Sequence, residues 1–190
     1  MSVTYTVVFF AALIIPALGL RSEAQQPSPP AVPGLTLTST AFDDGAVIPP
    51  EYTQLVPKPI SPALKWANVP ANTVSFALIF HDPESVPKKS DDYLHWMVFN
   101  IPGSVRELPE GLPGNPPLAD GTIQAKNTHG DVGYRGPGAA AVGPYHHYTF
   151  ELYALDIKLD LTSDVTRADL LQAMSGHILA TAVLVGRFHR

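Results

Sequence analysis

The residues with the most chemical potential lie at the ends of predicted strands, far apart in the sequence. Asp82 follows a buried-looking strand, His95 begins the next one, and His146 and Tyr148 begin a third. The last two residues are two positions apart and so share one face of their strand, while His147 points the other way. One carboxylate, two imidazoles and a phenol can therefore converge. We predict a small polar pocket on a β scaffold.

The charges of these groups suggest what such a pocket would bind. A carboxylate close to an imidazole favours the protonated ring and raises a histidine pKa from about 6.5 toward or above neutrality. We therefore expect His95 and His146 to offer positive donors to an anion, with Tyr148 adding a neutral O–H group. Asp82 would balance the rings or meet a ligand ammonium. A few such bonds, each worth about 1.5–3 kcal/mol, predict micromolar to millimolar binding.

The same side chains leave a second interpretation open, a metal-dependent hydrolase with Asp82, His95 and His146 as ligands. Two imidazoles and a carboxylate suit zinc or iron, although no local His-x-His or His-x-x-x-His spacing supports that interpretation. Acyl transfer is disfavoured because the chain lacks both a Gly-x-Ser-x-Gly elbow and cysteine. We predict a binding protein that is not an enzyme, with no catalytic residue, no bound metal and no cofactor.

Composition limits the class of protein. A chain of 190 residues with 45% hydrophobic residues can form one domain with a proper core. The net charge of −5 comes from scattered acidic and basic residues, which argues against a nucleic-acid partner because such a partner requires a basic stripe. The absence of cysteine excludes disulfides, a thiolate nucleophile and a cysteine zinc site.

The amino terminus has the pattern of a targeting segment. Residues 2–20 carry no charged side chain and include an apolar run at 7–15, and Ser22-Glu23-Ala24 places small residues where a signal peptidase cleaves. We predict a signal peptide at 1–24 and export to the periplasm or the medium. A membrane anchor is the alternative, because the run approaches the length of about 20 residues that spans a bilayer. Residues 25–34 form a Pro-rich, flexible leader before a domain at 35–190.

The domain is predicted to be mainly β and antiparallel. Strands are expected at 35–41, 61–66, 74–80, 94–101, 148–155 and 178–188. The second should be an edge strand because Pro62 cannot donate to a ladder, and the third should be buried on both faces. One helix is expected after the capping box of Thr166 and Asp169. Its apolar face would consist of Leu170, Leu171 and Met174, and Gly176 would end it.

Seven segments, taken in their order and spacing, resemble the phosphatidylethanolamine-binding protein family, in particular its bacterial Raf-kinase-inhibitor-like branch. The resemblance covers 35–190. The segments read SPALKW at 61–66, DPE at 82–84, HWMVFNIP at 95–102, LPEG at 108–111, GYRGP at 133–137, HHYTFELYALD at 146–156 and GHILA at 176–180.

This resemblance implies a large central antiparallel sheet packed with a smaller sheet, and one or two peripheral helices. It also implies a small pocket that binds phosphate or a phosphorylethanolamine head group. Its further implications are a homodimer and an inhibitory or regulatory role toward a protein partner. Carried over by position, the pocket would consist of Asp82, His95, His146 and Tyr148, with Gly136 and Pro137 in its wall.

Two departures from the family pattern lie beside this pocket. Ser85 is an extra residue in the family's Asp-Pro-Asp-Ala-Pro signature. The family's Gly-Pro-Cys-Pro-Pro loop reads Gly-Pro-Gly-Ala-Ala at 136–140, which removes stiffness from the expected wall.

Overall fold

Two antiparallel sheets and one α-helix form the secondary-structure framework of the computed structural model, which describes residues 1–2, 33–85, 92–114 and 118–190. The small sheet contains β1 (Thr36–Ser39), β2 (Leu64–Ala67) and β5 (Glu107–Leu108). The large sheet contains β3 (Ser75–Asp82), β4 (Tyr93–Pro102), β6 (Ile123–Gln124), β7 (His146–Leu155) and β8 (Ile178–Phe188). The helix is α1 (Arg167–Met174), and a short 3-10 helix covers Pro50–Tyr52.

The order of the large sheet is β6-β4-β3-β7-β8, so β3 lies in its centre. All eight residues of β3 are buried, which confirms the prediction of a strand covered on both faces. The pairs β3–β4 and β3–β7 are both antiparallel. The carboxyl end of β3 therefore lies beside the amino ends of β4 and β7, which is where the predicted pocket residues occur.

Aromatic side chains fill the space between the two sheets. The Trp66 ring of the small sheet lies 5.2 Å from the Phe76 ring of the large sheet. Phe80 and Phe150 stack at 3.8 Å between centroids near the centre of this core. A second core covers the other face of the large sheet, where Met174 of α1 packs among buried residues. The prediction of two packed antiparallel sheets with a peripheral helix is confirmed.

Two strand predictions need correction. The strand predicted at 61–66 is not an edge strand, because β2 lies between β1 and β5 in the small sheet. Pro62 precedes β2, so its missing N–H removes no bond from the ladder. The strand predicted from residue 148 begins at His146, whose ladder partner is Phe188.

The helix begins as predicted. Thr166 and Asp169 form the capping box, with the Asp169 N–H donating to Thr166 Oγ1 at 3.2 Å and the Thr166 N–H donating to Asp169 Oδ2 at 2.9 Å. Leu170 and Met174 are buried, but Leu171 is 41% exposed. The prediction for Leu171 is wrong because residues four apart share a helix face, whereas a neighbour is rotated by about 100°.

The predicted signal peptide and the Pro-rich leader fall almost entirely within residues 3–32, outside the described residues. Segments 86–91 and 115–117 are outside them as well. Within the ranges that are described, no helix is long and apolar enough to cross a membrane.

Candidate functional site

The four predicted pocket side chains meet at one end of the large sheet. Asp82 ends β3, His95 lies near the start of β4, and His146 and Tyr148 lie near the start of β7. His146 Nδ1 is 2.7 Å from Asp82 Oδ2. The Tyr148 ring lies 5.2 Å from the His95 ring and 6.3 Å from the His146 ring, measured between centroids. The antiparallel register of three neighbouring strands thus joins residues up to 66 positions apart, from 82 to 148.

Asp82 is buried and fully engaged by the protein. Its side chain is 2% exposed, and its Oδ2 atom faces the imidazole of His146. Its Oδ1 atom accepts hydrogen bonds from the backbone N–H groups of Glu84, at 3.0 Å, and Ser85, at 3.1 Å. The carboxylate therefore caps the turn after β3 through Oδ1 and orients His146 through Oδ2.

Of the two imidazoles at this site, His146 is the one that solvent reaches, with a side chain that is 27% exposed. Because its Nδ1 faces Asp82, Nε2 is the ring nitrogen left for a ligand. His147 lies on the opposite face of the strand, and its ring and backbone N–H both contact the carboxylate of Glu84. This contact joins the turn after β3 to the start of β7.

His95 is 3% exposed and clamped to the loop beside it. Its Nδ1 lies 2.9 Å from the carbonyl oxygen of Arg135, and the Arg135 N–H donates to the His95 carbonyl at 3.0 Å. Since a carbonyl can only accept, Nδ1 carries the proton and Nε2 of the neutral ring is a bare acceptor.

The predicted positive charge on His95 is wrong. Burial lowers its pKa to about 4, although the carbonyl of Arg135 and the charge of Asp82 act in the opposite direction. The ring is therefore neutral at neutral pH. Loss of hydration disfavours the charged imidazole more than one nearby carboxylate favours it.

Tyr148 is 1% exposed and presents a phenol that stays protonated. Burial and, next, the charge of Asp82 raise its pKa well above the usual value. The Tyr148 hydroxyl oxygen accepts a hydrogen bond of 3.0 Å from the Ala139 N–H. The family pattern has proline at position 139, which has no N–H, so the departure from that pattern provides this bond.

Gly136 and Pro137 are buried in the loop that borders the four side chains. A Cβ atom on Gly136 would lie 2.6 Å from the carbonyl oxygen of Tyr52 and 2.9 Å from Cα of Thr53. Gln54 holds the same loop, since its side-chain amide donates to the Gly136 carbonyl at 2.8 Å and its N–H donates to the Pro137 carbonyl at 2.8 Å. Close packing on segment 52–54 therefore fixes the loop without the family's additional prolines.

Sequence reasoning missed the role of Glu84. Donor atoms of Asp82, Glu84 and His146 lie within 4.8 Å of one another, a spacing that could hold a metal ion. His95 does not belong to this group. The metal ligands considered from the sequence included His95, whereas the group that converges in the structure contains Glu84 in its place. The sequence contained a signal for this role of Glu84, because Glu84 follows Asp82 by two residues in a turn.

His81 is the residue before Asp82 and is buried at 7% exposure. Its Nδ1 contacts the carboxylate of Asp92, and its Nε2 lies 3.6 Å from Glu151. Arg167 contacts both carboxylates, and Tyr153 donates to Glu151 at 2.8 Å. Because successive strand residues face opposite sides, the His81 ring points away from the side chain of Asp82. This network joins α1 to the large sheet.

Comparison with known proteins adds independent information. The model of the family described as phosphatidylethanolamine-binding protein matches residues 38–189. A UPF0098 protein of Methanothermobacter thermautotrophicus is 41% identical over 156 residues, covering 82% of this chain and 99% of that protein. The UPF0098 protein YbhB of Escherichia coli is 35% identical over 131 residues, covering 68% of this chain and 81% of YbhB.

Solved structures agree with these matches. A phosphatidylethanolamine-binding protein homolog from Chlamydia trachomatis is 37% identical, with a TM-score of 0.70 over 83% of this chain and 98% of that one. YbcL of Escherichia coli, described as a member of the mammalian family, is 26% identical, with a TM-score of 0.73 over 83% of this chain and 99% of YbcL. The chain therefore belongs to the phosphatidylethanolamine-binding protein family.

Proposed function

We propose that this protein binds phosphate and phosphorylated head groups, phosphorylethanolamine among them, at the site of Asp82, His95, His146 and Tyr148. The convergence of these four side chains at the ends of three neighbouring strands is the observation that supports this function most directly. We assign no bond-breaking step to the site.

The two imidazoles differ in what they offer. His146 has the Asp82 carboxylate on its Nδ1, so it would donate from Nε2 to a phosphate oxygen when the ring carries both protons. His95 is neutral and offers an acceptor at Nε2, because its Nδ1 proton is held by the Arg135 carbonyl. Tyr148 adds an O–H donor. The ligand that fits is one with both acceptor oxygens and a donor of its own.

This mixed character predicts selectivity among anions of similar shape. Phosphate near neutral pH keeps a hydroxyl group, and phosphorylethanolamine also carries an ammonium, so each can donate to His95. Sulfate has no proton to donate and would place an oxygen lone pair against the bare His95 nitrogen. A site that requires a hydrogen bond rejects an analogue that cannot make it, because a buried polar group is then left unpaired.

The test is an NMR titration of the imidazole signals with phosphorylethanolamine, phosphate and sulfate. We expect the signals of His95 and His146 to respond to the first two ligands, with dissociation constants between micromolar and millimolar. We expect sulfate to bind at least tenfold more weakly, which corresponds to about 1.4 kcal/mol. His146→Ala should weaken the two phosphorylated ligands by tenfold or more.

His177→Ala is the matched control, since His177 is 43% exposed in its side chain, pairs with Asp156 and follows α1. It should leave all three titrations unchanged. Equal binding of sulfate and phosphate would contradict the role given to His95. Imidazole signals that ignore every ligand would reject the proposed function as a whole.

A metal-dependent hydrolase is the second candidate, favoured by the convergence of Asp82, Glu84 and His146. Under our proposal, protein purified without chelators contains well below one equivalent of zinc or iron by elemental analysis. Glu84→Gln should then leave phosphorylethanolamine binding within twofold of the unsubstituted protein. A full equivalent of metal that disappears in Glu84→Gln would reverse the order of the two candidates.

A further inference from the structure

A cavity of about 380 Å³ lies between segments 54–59 and 131–135. It contains none of the four side chains of the site described above. Val56, Pro57 and Pro59 contribute apolar groups to its lining, and Arg135 contributes a guanidinium. The volume falls within the range of small-molecule sites, about 300–1,000 Å³.

Arg135 has more hydrogen-bonding capacity than its surroundings use. Its side chain is only 28% exposed. Nη1 makes one long contact, 3.5 Å from Asp131 Oδ2, and that carboxylate belongs to a side chain that is 63% exposed. Its Nε atom is buried and has no hydrogen-bond partner in the part of the chain that is described. A guanidinium carries five N–H donors, and groups of this kind are rarely left unpaired when shielded from water.

We propose that this cavity is a second oxyanion site, in which Arg135 binds the carboxylate or phosphate group of a small ligand. The planar fork of a guanidinium matches two oxygens of either anion. Apolar groups of the ligand would pack on Val56, Pro57 and Pro59. The shared chemistry is a two-oxygen anion, and the probes below separate a carboxylate from a phosphate.

Asp131 competes with such a ligand for the guanidinium. An exposed ion pair with a single long contact is worth at most about 1 kcal/mol, so an anion that makes two short bonds can displace it. Removing the charge of Asp131 should therefore strengthen the site, whereas removing the charge of Arg135 should abolish it. The two substitutions act in opposite directions, which separates this site from a merely structural ion pair.

The side chain of Arg135 can be replaced without removing the hydrogen bonds that hold His95. The bonds that hold His95 come from the backbone N–H and carbonyl of Arg135, so Arg135→Gln keeps them. The inference is independent of the proposed function, because His146→Ala should remove the first site and leave this one intact.

The experiment is a titration of the full chain, followed by amide NMR, with inorganic phosphate, acetate and butyrate as separate probes. We expect the amides of residues 54–56 and 131–135 to shift with at least one probe, and to do so equally in His146→Ala. A stronger response to butyrate than to acetate would assign the ligand as a carboxylate with an apolar tail. A response to phosphate alone would assign a phosphorylated ligand.

The variants decide the outcome. Arg135→Gln should weaken binding at these amides by tenfold or more, and Asp131→Asn should tighten it severalfold. The proposal is overturned if these amides ignore all three probes. It is also overturned if binding persists unchanged in Arg135→Gln, or if Asp131→Asn weakens it. Unshifted His95 signals in Arg135→Gln would verify that the backbone clamp remains folded.

Discussion

Replacing Asp82 by alanine is expected to lower the free energy of unfolding by about 3 kcal/mol, because hydrogen bonds to a charged group contribute about 1.5–3 kcal/mol each and this carboxylate accepts several. The substitution removes the acceptor of two backbone N–H groups, those of Glu84 and Ser85, and the partner of His146. Urea denaturation of the variant and the unsubstituted protein measures the difference. We therefore expect Asp82→Ala to have its largest effect on the free energy of unfolding.

Two variants serve as controls for Asp82→Ala. Asp82→Asn keeps a side-chain oxygen for the turn and should cost about half as much, since only the bond to His146 is lost. Asp44→Ala also removes a carboxylate that accepts a backbone bond, from Val185 at 2.8 Å, but at an exposed position. It should cost less than about 1 kcal/mol. An Asp82→Ala protein as stable as Asp44→Ala would show that the carboxylate neither caps the turn nor orients His146.

Acidification should destabilise the protein through His95. Burial lowers its pKa to about 4 in the folded state, whereas an imidazole in the unfolded chain titrates near 6.5. The unfolded chain therefore binds a proton at a higher pH than the folded protein. The contribution of the neutral ring to stability is present in full above about 6.5, falls as the pH decreases, and is lost once the pH reaches about 4.

The separation of the two pKa values corresponds to about 3 kcal/mol between pH 7.5 and pH 4. Carboxylates also titrate in this window, so the quantity to measure is the difference in slope between the unsubstituted protein and His95→Asn. Asparagine keeps a donor near the position of Nδ1 but cannot be protonated there. His129→Asn replaces a histidine whose side chain is 56% exposed and should change the slope little. An unchanged slope in His95→Asn would contradict the neutral, buried imidazole.

Each side chain at the proposed site has a distinct role. Asp82 is a positioning residue, because both of its oxygens are used within the protein and its side chain is 2% exposed. In the proposed site, His146 is the imidazole that a ligand would reach, because its side chain is 27% exposed. His95 would supply an acceptor to that ligand, because its ring is neutral. The proposed preference for phosphate over sulfate follows from that difference between two imidazoles, and two positively charged rings would not produce it.

Much of the fold was predictable from local pattern. The eight consecutive buried residues of β3 follow from an almost continuous apolar run, and the 178–188 prediction matches β8 end for end. The capping box at Thr166 is encoded within four residues. The prediction for Pro62 was wrong because edge or centre is a property of strand order, which depends on partners far away in the sequence.

The chain alone indicated the family and the longer strands of the large sheet, because these follow from residue type and local spacing, whereas the two-residue strands β5 and β6 were not predicted. The charge of each site residue and its access to solvent depended on the tertiary structure. It buries His95, so that lost hydration outweighs the nearby carboxylate, and it engages both oxygens of Asp82 with groups of the protein. Among the described residues, it also leaves Nε of Arg135 without a hydrogen-bond partner beside a cavity. The hydration of a side chain and its distance from other charged groups depend on residues that folding brings together. A local stretch of sequence therefore does not contain them.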